Sequence, residues 1–158
     1  MITKYIDFKN FTLKKNNKKI KKDLNILLKE NNTVLNSLSS TYKNSYAKAT
    51  ILKFKKYSHI RVIGMGGSIL GTESIYNFLK KKIKKNFYFN NNLQPKIILH
   101  NKKKTLNLVV SKSGNTLETI SNSNVIIKNK NKNIFITENK ESYLYLLANK
   151  LKAEIIHH

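Results

Sequence analysis

From Ile60 onward, short uninterrupted apolar runs alternate with longer amphipathic stretches, and this alternation constrains the fold more than any other feature of the sequence. An apolar run without polar interruptions is typical of a strand buried on both faces. Strands that alternate with helices form right-handed crossovers and a parallel sheet covered by helices. We therefore predict a three-layer α/β (αβα) sandwich with a five-stranded parallel sheet in the flavodoxin-like order 2-1-3-4-5. The five predicted strands are Ile60–Ile63, Lys96–His100, Leu106–Val110, Ile134–Thr137 and Ala153–His157.

The remaining stretches predict helices and one long loop. Residues 1–57 are predicted to form an N-terminal helical segment, and residues 58–158 the α/β domain. The connection Lys85–Pro95 is rich in asparagine and predicts a loop. The predicted helices are Phe11–Ser39 and Ser40–Lys56 before the sheet, and Gly71–Lys85, Thr116–Lys128 and Glu141–Leu151 within it.

The basic residues give a formal charge of +23, which by itself would favour a nucleic-acid partner. Nucleic-acid surfaces, however, usually use arginine for bidentate contacts and aromatic rings for base stacking. The sequence contains one arginine, Arg61, and its lysines alternate with Asn and Ile, as in KKNNKKIKK (Lys14–Lys22). Joint enrichment of Lys, Asn and Ile is typical of AT-rich codon usage, and we expect these lysines on solvent-exposed faces of helices. We therefore expect no specific nucleic-acid partner.

Several other classes of protein are disfavoured. The chain has no cysteine, which excludes disulfides and thiolate metal sites. No segment approaches the roughly 18 consecutive apolar residues of a membrane span, and the N-terminus lacks the apolar core of a signal peptide. The four histidines lack metal-ligand spacing with carboxylates. We expect a cytoplasmic protein with no membrane contact, no metal and no cofactor.

Two loops of small residues follow the first and third predicted strands. GMGGSILG (Gly64–Gly71) follows the first, and SKSGNT (Ser111–Thr116) follows the third. In the order 2-1-3-4-5, the strand order reverses between these two strands, and α/β sheets bind ligands at the carboxyl edge there. Glycines, helix N-termini and hydroxyl groups together suit a phosphate group. The two loops are therefore predicted to form one phosphate-binding crevice.

Two better-known phosphate-binding motifs do not match the sequence, because the sequence lacks one required residue of each. A dinucleotide-binding fingerprint needs a third glycine where Ile69 stands, and a P-loop needs a lysine where Thr72 follows Gly71. The spacing of Asn115 and Glu118 predicts a helix cap. Alternatively, Glu118 points into the crevice and positions a cation or a substrate hydroxyl.

The stretches VIGMGGSILGTESIYNFL (Val62–Leu79) and VVSKSGNTLETISN (Val109–Asn122) together resemble the glucose-6-phosphate isomerase family, whose domains have the sugar isomerase (SIS) fold. The resemblance covers the chain from about Ile60 to its end. It implies a sugar-phosphate ligand, glucose 6-phosphate or fructose 6-phosphate. It also implies isomerisation through a cis-enediol(ate) without a cofactor, in a homodimer of two-domain chains. The residues implied to bind substrate and phosphate are Gly66, Gly67, Ser68, Ser111, Lys112, Ser113 and Thr116, with Glu118 ordering the edge of the site.

The sequence also departs from this family. The family's G-G-R-[FY]-S motif is missing, as are its catalytic glutamate, its histidine for ring opening and its C-terminal lysine. We therefore predict an N-terminal part of such an enzyme, with the first SIS domain at residues 58–158, no catalytic residue and no activity of its own. Glu118 has at most a supporting role in this interpretation. The alternative is a stand-alone single-SIS module that binds or senses phosphosugars.

Overall fold

The computed structural model describes residues 17–30, 32–93, 105–128 and 132–158. Two compact units divide the chain, one ending at Lys43 and the other spanning residues 44–158. The described part of the first unit contains helices α1 (Lys18–Lys29) and α2 (Thr33–Asn36). Among the described residues, no helix combines the length and the apolar character that crossing a membrane requires.

The elements of the second unit are α3 (Lys48–Phe54), β1 (His59–Gly64), α4 (Gly67–Leu79), β2 (Asn86–Asn90), β3 (Thr105–Val110), α5 (Leu117–Ile126), β4 (Lys132–Thr137), α6 (Tyr143–Lys150) and β5 (Glu154–His157). Its five strands form a parallel sheet in the order β2-β1-β3-β4-β5. The predicted five-stranded parallel sheet and its strand order are therefore confirmed. Helices α5 and α6 lie within the stretches predicted to be helical.

The main core lies between one face of the sheet and helices α5 and α6. Ile63, Val109 and Phe135 occupy aligned positions on β1, β3 and β4, so their side chains share one face. They form a buried cluster with Ile126 of α5 and with Leu144 and Ala148 of α6. The apolar runs of the sequence thus fix both the strands and the face to which these two helices pack.

A row of polar side chains lies on the same face of the sheet. Each of them precedes one of the three core residues of the strands by two positions. Arg61, Asn107 and Asn133 are aligned on β1, β3 and β4. Arg61 Nη1 donates to Asn107 Oδ1 (3.4 Å), and Asn107 Nδ2 donates to Asn133 Oδ1 (2.9 Å). Burial lowers the pKa of the Arg61 guanidinium, and Tyr88 partly offsets this effect. The one arginine of the chain is 3% exposed, so the surface presents none to a nucleic acid.

Strand β2 corrects the prediction that Lys85–Pro95 forms a loop. Its sequence, NFYFN, contains three consecutive aromatic residues, which favour strands, but the flanking asparagines favour a loop. The Tyr76 ring of α4 lies 4.9 Å from the Phe87 ring and 5.8 Å from the Phe89 ring, which fixes this strand against the helix. The predicted strand Lys96–His100 lies outside the described residues.

Helix α4 begins and ends earlier than predicted. It begins before Gly71, because the N–H of Leu70 already donates to the carbonyl of Gly66 (3.0 Å). It ends before Lys85, because the following residues close in a tight turn onto the carbonyl of Leu79.

The two N-terminal helices are shorter than predicted. The described part of Phe11–Ser39 forms α1 and α2 instead of one helix, and the Asn32 side chain accepts a hydrogen bond from the N–H of Val34 (2.8 Å). Such local side-chain bonds compete with the bonds of a continuous helix. The predicted helix Ser40–Lys56 contracts to α3, because Ser and Thr hydroxyl groups hold residues 39–41 in a turn.

We expect Phe135→Ala to lower the free energy of unfolding by about 3–5 kcal/mol, because Phe135 is 1% exposed and its removal leaves a cavity in the core. Phe78→Ala removes the same group from a side chain that is 83% exposed, and should change stability by less than about 0.5 kcal/mol. Urea denaturation followed by circular dichroism measures both. Equal losses in the two variants would contradict the assignment of the core.

Candidate functional site

The two predicted loops leave the sheet at neighbouring positions. Strands β1 and β3 pair in parallel, and Gly64 lies opposite Val110 at their carboxyl ends. A Cβ atom on Gly64 would lie only 3.0 Å from the Val110 carbonyl oxygen, so a residue without a side chain suits this close approach. The chain continues from β1 toward β2 on one side, and β3 lies on the other. The loops therefore open at the point where the strand order reverses, as predicted.

The first loop is a short turn into α4 and leaves open space above it. Gly66 has φ +53° and ψ −127°, a conformation that favours glycine. A Cβ atom on Gly67 would meet no atom within 4 Å. Within the described part of the chain, the N–H of Gly67 has no hydrogen-bond acceptor. Gly66 and Gly67 therefore border this space, and Ser68 is half-buried in the first turn of α4.

The second loop is held by its own hydroxyl groups. Ser111 is 2% exposed, and its Oγ lies 3.0 Å from Thr116 Oγ1. The same Ser111 Oγ accepts a hydrogen bond from the N–H of Gly114 (3.2 Å). The Ser111 N–H in turn donates to the carbonyl of Ile136 on β4 (3.0 Å). These bonds fix the ends of the loop close together.

The other two predicted residues of this loop face solvent. Ser113 is exposed, and its Oγ accepts a hydrogen bond from the N–H of Asn115 (3.3 Å), which leaves its hydroxyl hydrogen available to a ligand. The Lys112 side chain is 67% exposed, and its ammonium lies 3.8 Å from a carboxylate oxygen of Glu138. At this exposure, solvent screens the ion pair, so it contributes little stability.

The loop packs tightly against the start of α6. Gly114 has φ +68°, and a Cβ atom there would lie 2.0 Å from Ser142 Oγ. The carbonyl of Gly114 accepts a hydrogen bond from the N–H of Leu144 (3.0 Å). Ser142 is buried and also caps α6 by accepting a hydrogen bond from the N–H of Tyr145 (3.3 Å). Glycine is therefore required at position 114 for two independent reasons.

The predicted cap of Asn115 with Glu118 is wrong. Helix α5 begins after Thr116, whose side chain makes no capping bond. The Asn115 side chain instead accepts a hydrogen bond from the N–H of Tyr143 at the start of α6 (2.9 Å). Glu118 is half-buried in the first turn of α5, where a negative charge suits the helix dipole. The first N–H groups of α5 are thus left without a side-chain cap.

The sequence did not reveal three residues that support the loop. Thr137 Oγ1 and the Glu138 N–H both donate to the carbonyl of Lys112, at 3.2 and 3.0 Å. Ser142 is the third of these residues. Its position before an apolar helical stretch is a recognisable cap signal. No local signal indicated that any of the three contacts the second loop, because the contacts cross between separate elements.

The doubly wound α/β unit with small-residue loops at its switch point agrees with the predicted SIS-type fold. The sequence model of the family described as phosphoglucose isomerase matches residues 10–153. The chain belongs to the phosphoglucose isomerase family.

Individual relatives agree with this assignment. Glucose-6-phosphate isomerase of Borrelia garinii subsp. bavariensis is 36% identical over 110 residues, which is 63% of this chain and 21% of that protein. Glucose-6-phosphate isomerase of Methanocaldococcus jannaschii is 42% identical over 93 residues, 51% of this chain and 23% of that protein. The chain therefore spans about a fifth of the length of these relatives. Tagatose-6-phosphate ketose/aldose isomerase from Escherichia coli shares the fold, with a TM-score of 0.51, 22% identity, and coverage of 70% of this chain and 31% of that chain.

We expect Gly114→Ala to destabilise the chain by about 2 kcal/mol or more, because it combines an unfavourable φ with a clash against Ser142. Gly71→Ala is the matched control, because a Cβ atom there meets nothing within 4 Å and alanine favours the helix interior. It should be neutral, or stabilising by up to about 1 kcal/mol. Thermal unfolding compares the two variants, and a stable Gly114→Ala chain would contradict the tight packing of this loop.

Proposed function

We propose that this chain carries the phosphate-binding half of a glucose-6-phosphate isomerase and holds the phosphoryl group of glucose 6-phosphate or fructose 6-phosphate between its two loops. The observation that carries the proposal is the placement of both loops after adjacent parallel strands, in a chain of the phosphoglucose isomerase family. The curated relatives support this substrate, since they are named glucose-6-phosphate isomerases.

The chemistry of the two loops suits a phosphoryl dianion. No side chain caps α4 or α5. Among the described residues, the Gly67 N–H of α4 has no acceptor, whereas the N–H groups of Ser68 and Ile69 donate to backbone carbonyls of the preceding turn. The N–H of Gly67 and the uncapped N–H groups of α5 can therefore donate to an anion at the carboxyl edge of the sheet. In this proposal, Ser111, Ser113 and Thr116 donate hydroxyl hydrogen bonds to phosphoryl oxygens, and the ligand replaces the bond between the Ser111 and Thr116 hydroxyls. Lys112 adds positive charge at the exposed rim of the site.

In the same proposal, the first loop lines the sugar side of the crevice. Gly66 and Gly67 let the ligand approach the backbone, and the open space above Gly67 leaves room for it. Ser68 contributes a hydroxyl from the first turn of α4. Glu118 orders the edge of the site from the first turn of α5 and does not move protons.

Isomerisation requires a group that transfers a proton between C1 and C2 of the sugar. Of the carboxylates that flank the second loop, Glu138 pairs with Lys112 and Glu118 lies at the N-terminus of a helix. We therefore propose that the catalytic base lies in the part of the full-length relatives to which this chain does not align. The proposal places the enzyme in the cytoplasm as a homodimer, with residues 58–158 as its first SIS domain after the helical segment 1–57.

Calorimetric titration with fructose 6-phosphate tests the binding site. Each hydrogen bond to a charged group contributes about 1.5–3 kcal/mol, so Thr116→Ala should weaken binding by at least about tenfold. Ser74→Ala removes a hydroxyl from an exposed position on α4 and should leave the affinity unchanged.

The same titration with inorganic phosphate separates recognition of the phosphate from recognition of the sugar. Fructose 6-phosphate should bind more tightly than inorganic phosphate if the first loop contacts the sugar. A folded chain that binds neither compound, or equal weakening by Thr116→Ala and Ser74→Ala, would refute the proposed site.

We expect no turnover of fructose 6-phosphate by the chain of 158 residues in an assay coupled to oxidation of glucose 6-phosphate. The physical reason is that no residue of this chain is assigned to the proton transfer between C1 and C2 of the sugar. Turnover above the buffer blank that disappears in Glu118→Gln would show that Glu118 is the base, which would contradict the supporting role given to it here.

A further inference from the structure

A second cleft lies at the amino edge of the sheet, opposite to the edge that carries the two loops. It has a volume of about 270 Å³ and lies between the end of α3 and the first residues of β4 and β5. Its charged lining residues are Lys53, Lys56, Lys132, Lys152 and Glu154. The established family and the proposed sugar-phosphate site assign no role to this cleft.

The positive charge of this cleft is only partly neutralised. Lys53 Nζ lies 2.7 Å from Glu154 Oε2, so these two residues form an ion pair. Within the described ranges, no carboxylate oxygen lies within 4.0 Å of the ammonium groups of Lys56, Lys132 or Lys152. All three lysines are exposed, and a multivalent anion in the cleft would be attracted to several positive charges at once.

Lys152 stands at a position that normally favours glycine. It follows the last residues of α6 and has φ +49°, the left-handed conformation in which many helices end. The Lys152 N–H donates to the Asn149 carbonyl (3.0 Å), and the Ala153 N–H to the Ala148 carbonyl (2.9 Å), so the helix end is well formed. A glycine would close this helix at lower cost, but a lysine adds a positively charged residue to the lining of the cleft.

The rest of the lining combines apolar walls with a few polar groups. Phe54, Leu151 and Ala153 contribute apolar surface, Tyr57 contributes an aromatic ring, and Asn133 contributes an amide that is 6% exposed. Five of the ten lining residues are charged, so the cleft is more polar than a typical small-molecule pocket, and the volumes of such pockets begin at about 300 Å³. A cleft slightly below that size suits a phosphate chain better than a whole nucleotide.

We propose that this cleft binds the di- or triphosphate group of a small molecule, with Lys56, Lys132 and Lys152 as the residues that hold its phosphoryl oxygens. Three ammonium groups can each contact a different phosphoryl group of a triphosphate, as point charges without the fixed geometry of arginine.

Equilibrium titration of the whole chain with inorganic tripolyphosphate, at 150 mM salt and without magnesium, tests this proposal. The triple variant Lys56→Gln, Lys132→Gln, Lys152→Gln should bind at least about tenfold more weakly than the unaltered chain. The control variant Lys80→Gln, Lys81→Gln, Lys82→Gln loses the same charge at exposed positions outside the cleft and should bind like the unaltered chain.

Equal weakening in the two triple variants would overturn the proposal, because it would show attraction to the overall charge of the chain. Absence of saturable binding to the unaltered chain would overturn it as well. A parallel titration with ATP identifies the source of the phosphate chain, since tighter binding of ATP than of tripolyphosphate shows that the nucleoside is also held. Saturating fructose 6-phosphate should leave tripolyphosphate binding unchanged, and competition between them would place both ligands in one site.

Discussion

The parallel pairing of β1 with β3 is the constraint on which the rest of the structure depends. It joins two strands that are separated in sequence by α4 and β2, and it aligns Gly64 with Val110 at the edge where both chains leave the sheet. The same alignment places Ile63 beside Val109 in the core, so one register fixes both the packing and the position of the two loops. A shift of one residue would turn these core side chains to the opposite face and separate the loops.

The shape of the second loop depends on elements that come later in the chain. The Gly114 backbone rests against Ser142, the Asn115 side chain accepts a hydrogen bond from the start of α6, and Thr137 of β4 donates to the Lys112 carbonyl. Each contact uses a backbone group or a short side chain, which loses little conformational freedom. Folding of β4 and α6 therefore sets the geometry of a loop that leaves the Ser113 hydroxyl exposed.

The sequence was sufficient to predict features that depend on local patterns. Apolar runs revealed four of the strands, their alternation with helices revealed the parallel sheet, and the switch-point rule located both loops. Strand β2 was missed because its asparagines favour a loop, while its pairing with β1 and its contact with Tyr76 depend on distant residues. The role of Asn115 was misassigned for the same reason, since its partner Tyr143 lies 28 residues away and only the folded chain brings them together.

The two edges of the sheet differ in how they can attract an anion. The carboxyl edge offers mainly neutral donors, the N–H groups of two helix N-termini and the hydroxyls of Ser111, Ser113 and Thr116, which are directional and act at short range. The amino edge offers lysine ammonium groups, whose attraction acts at longer range and weakens as salt increases. A sugar phosphate carries one phosphoryl group with a hydroxylated body, which suits directional donors. A phosphate chain carries several charges without such a body, which suits the lysine cleft, and under the two proposals this difference would let one small sheet separate the two kinds of ligand.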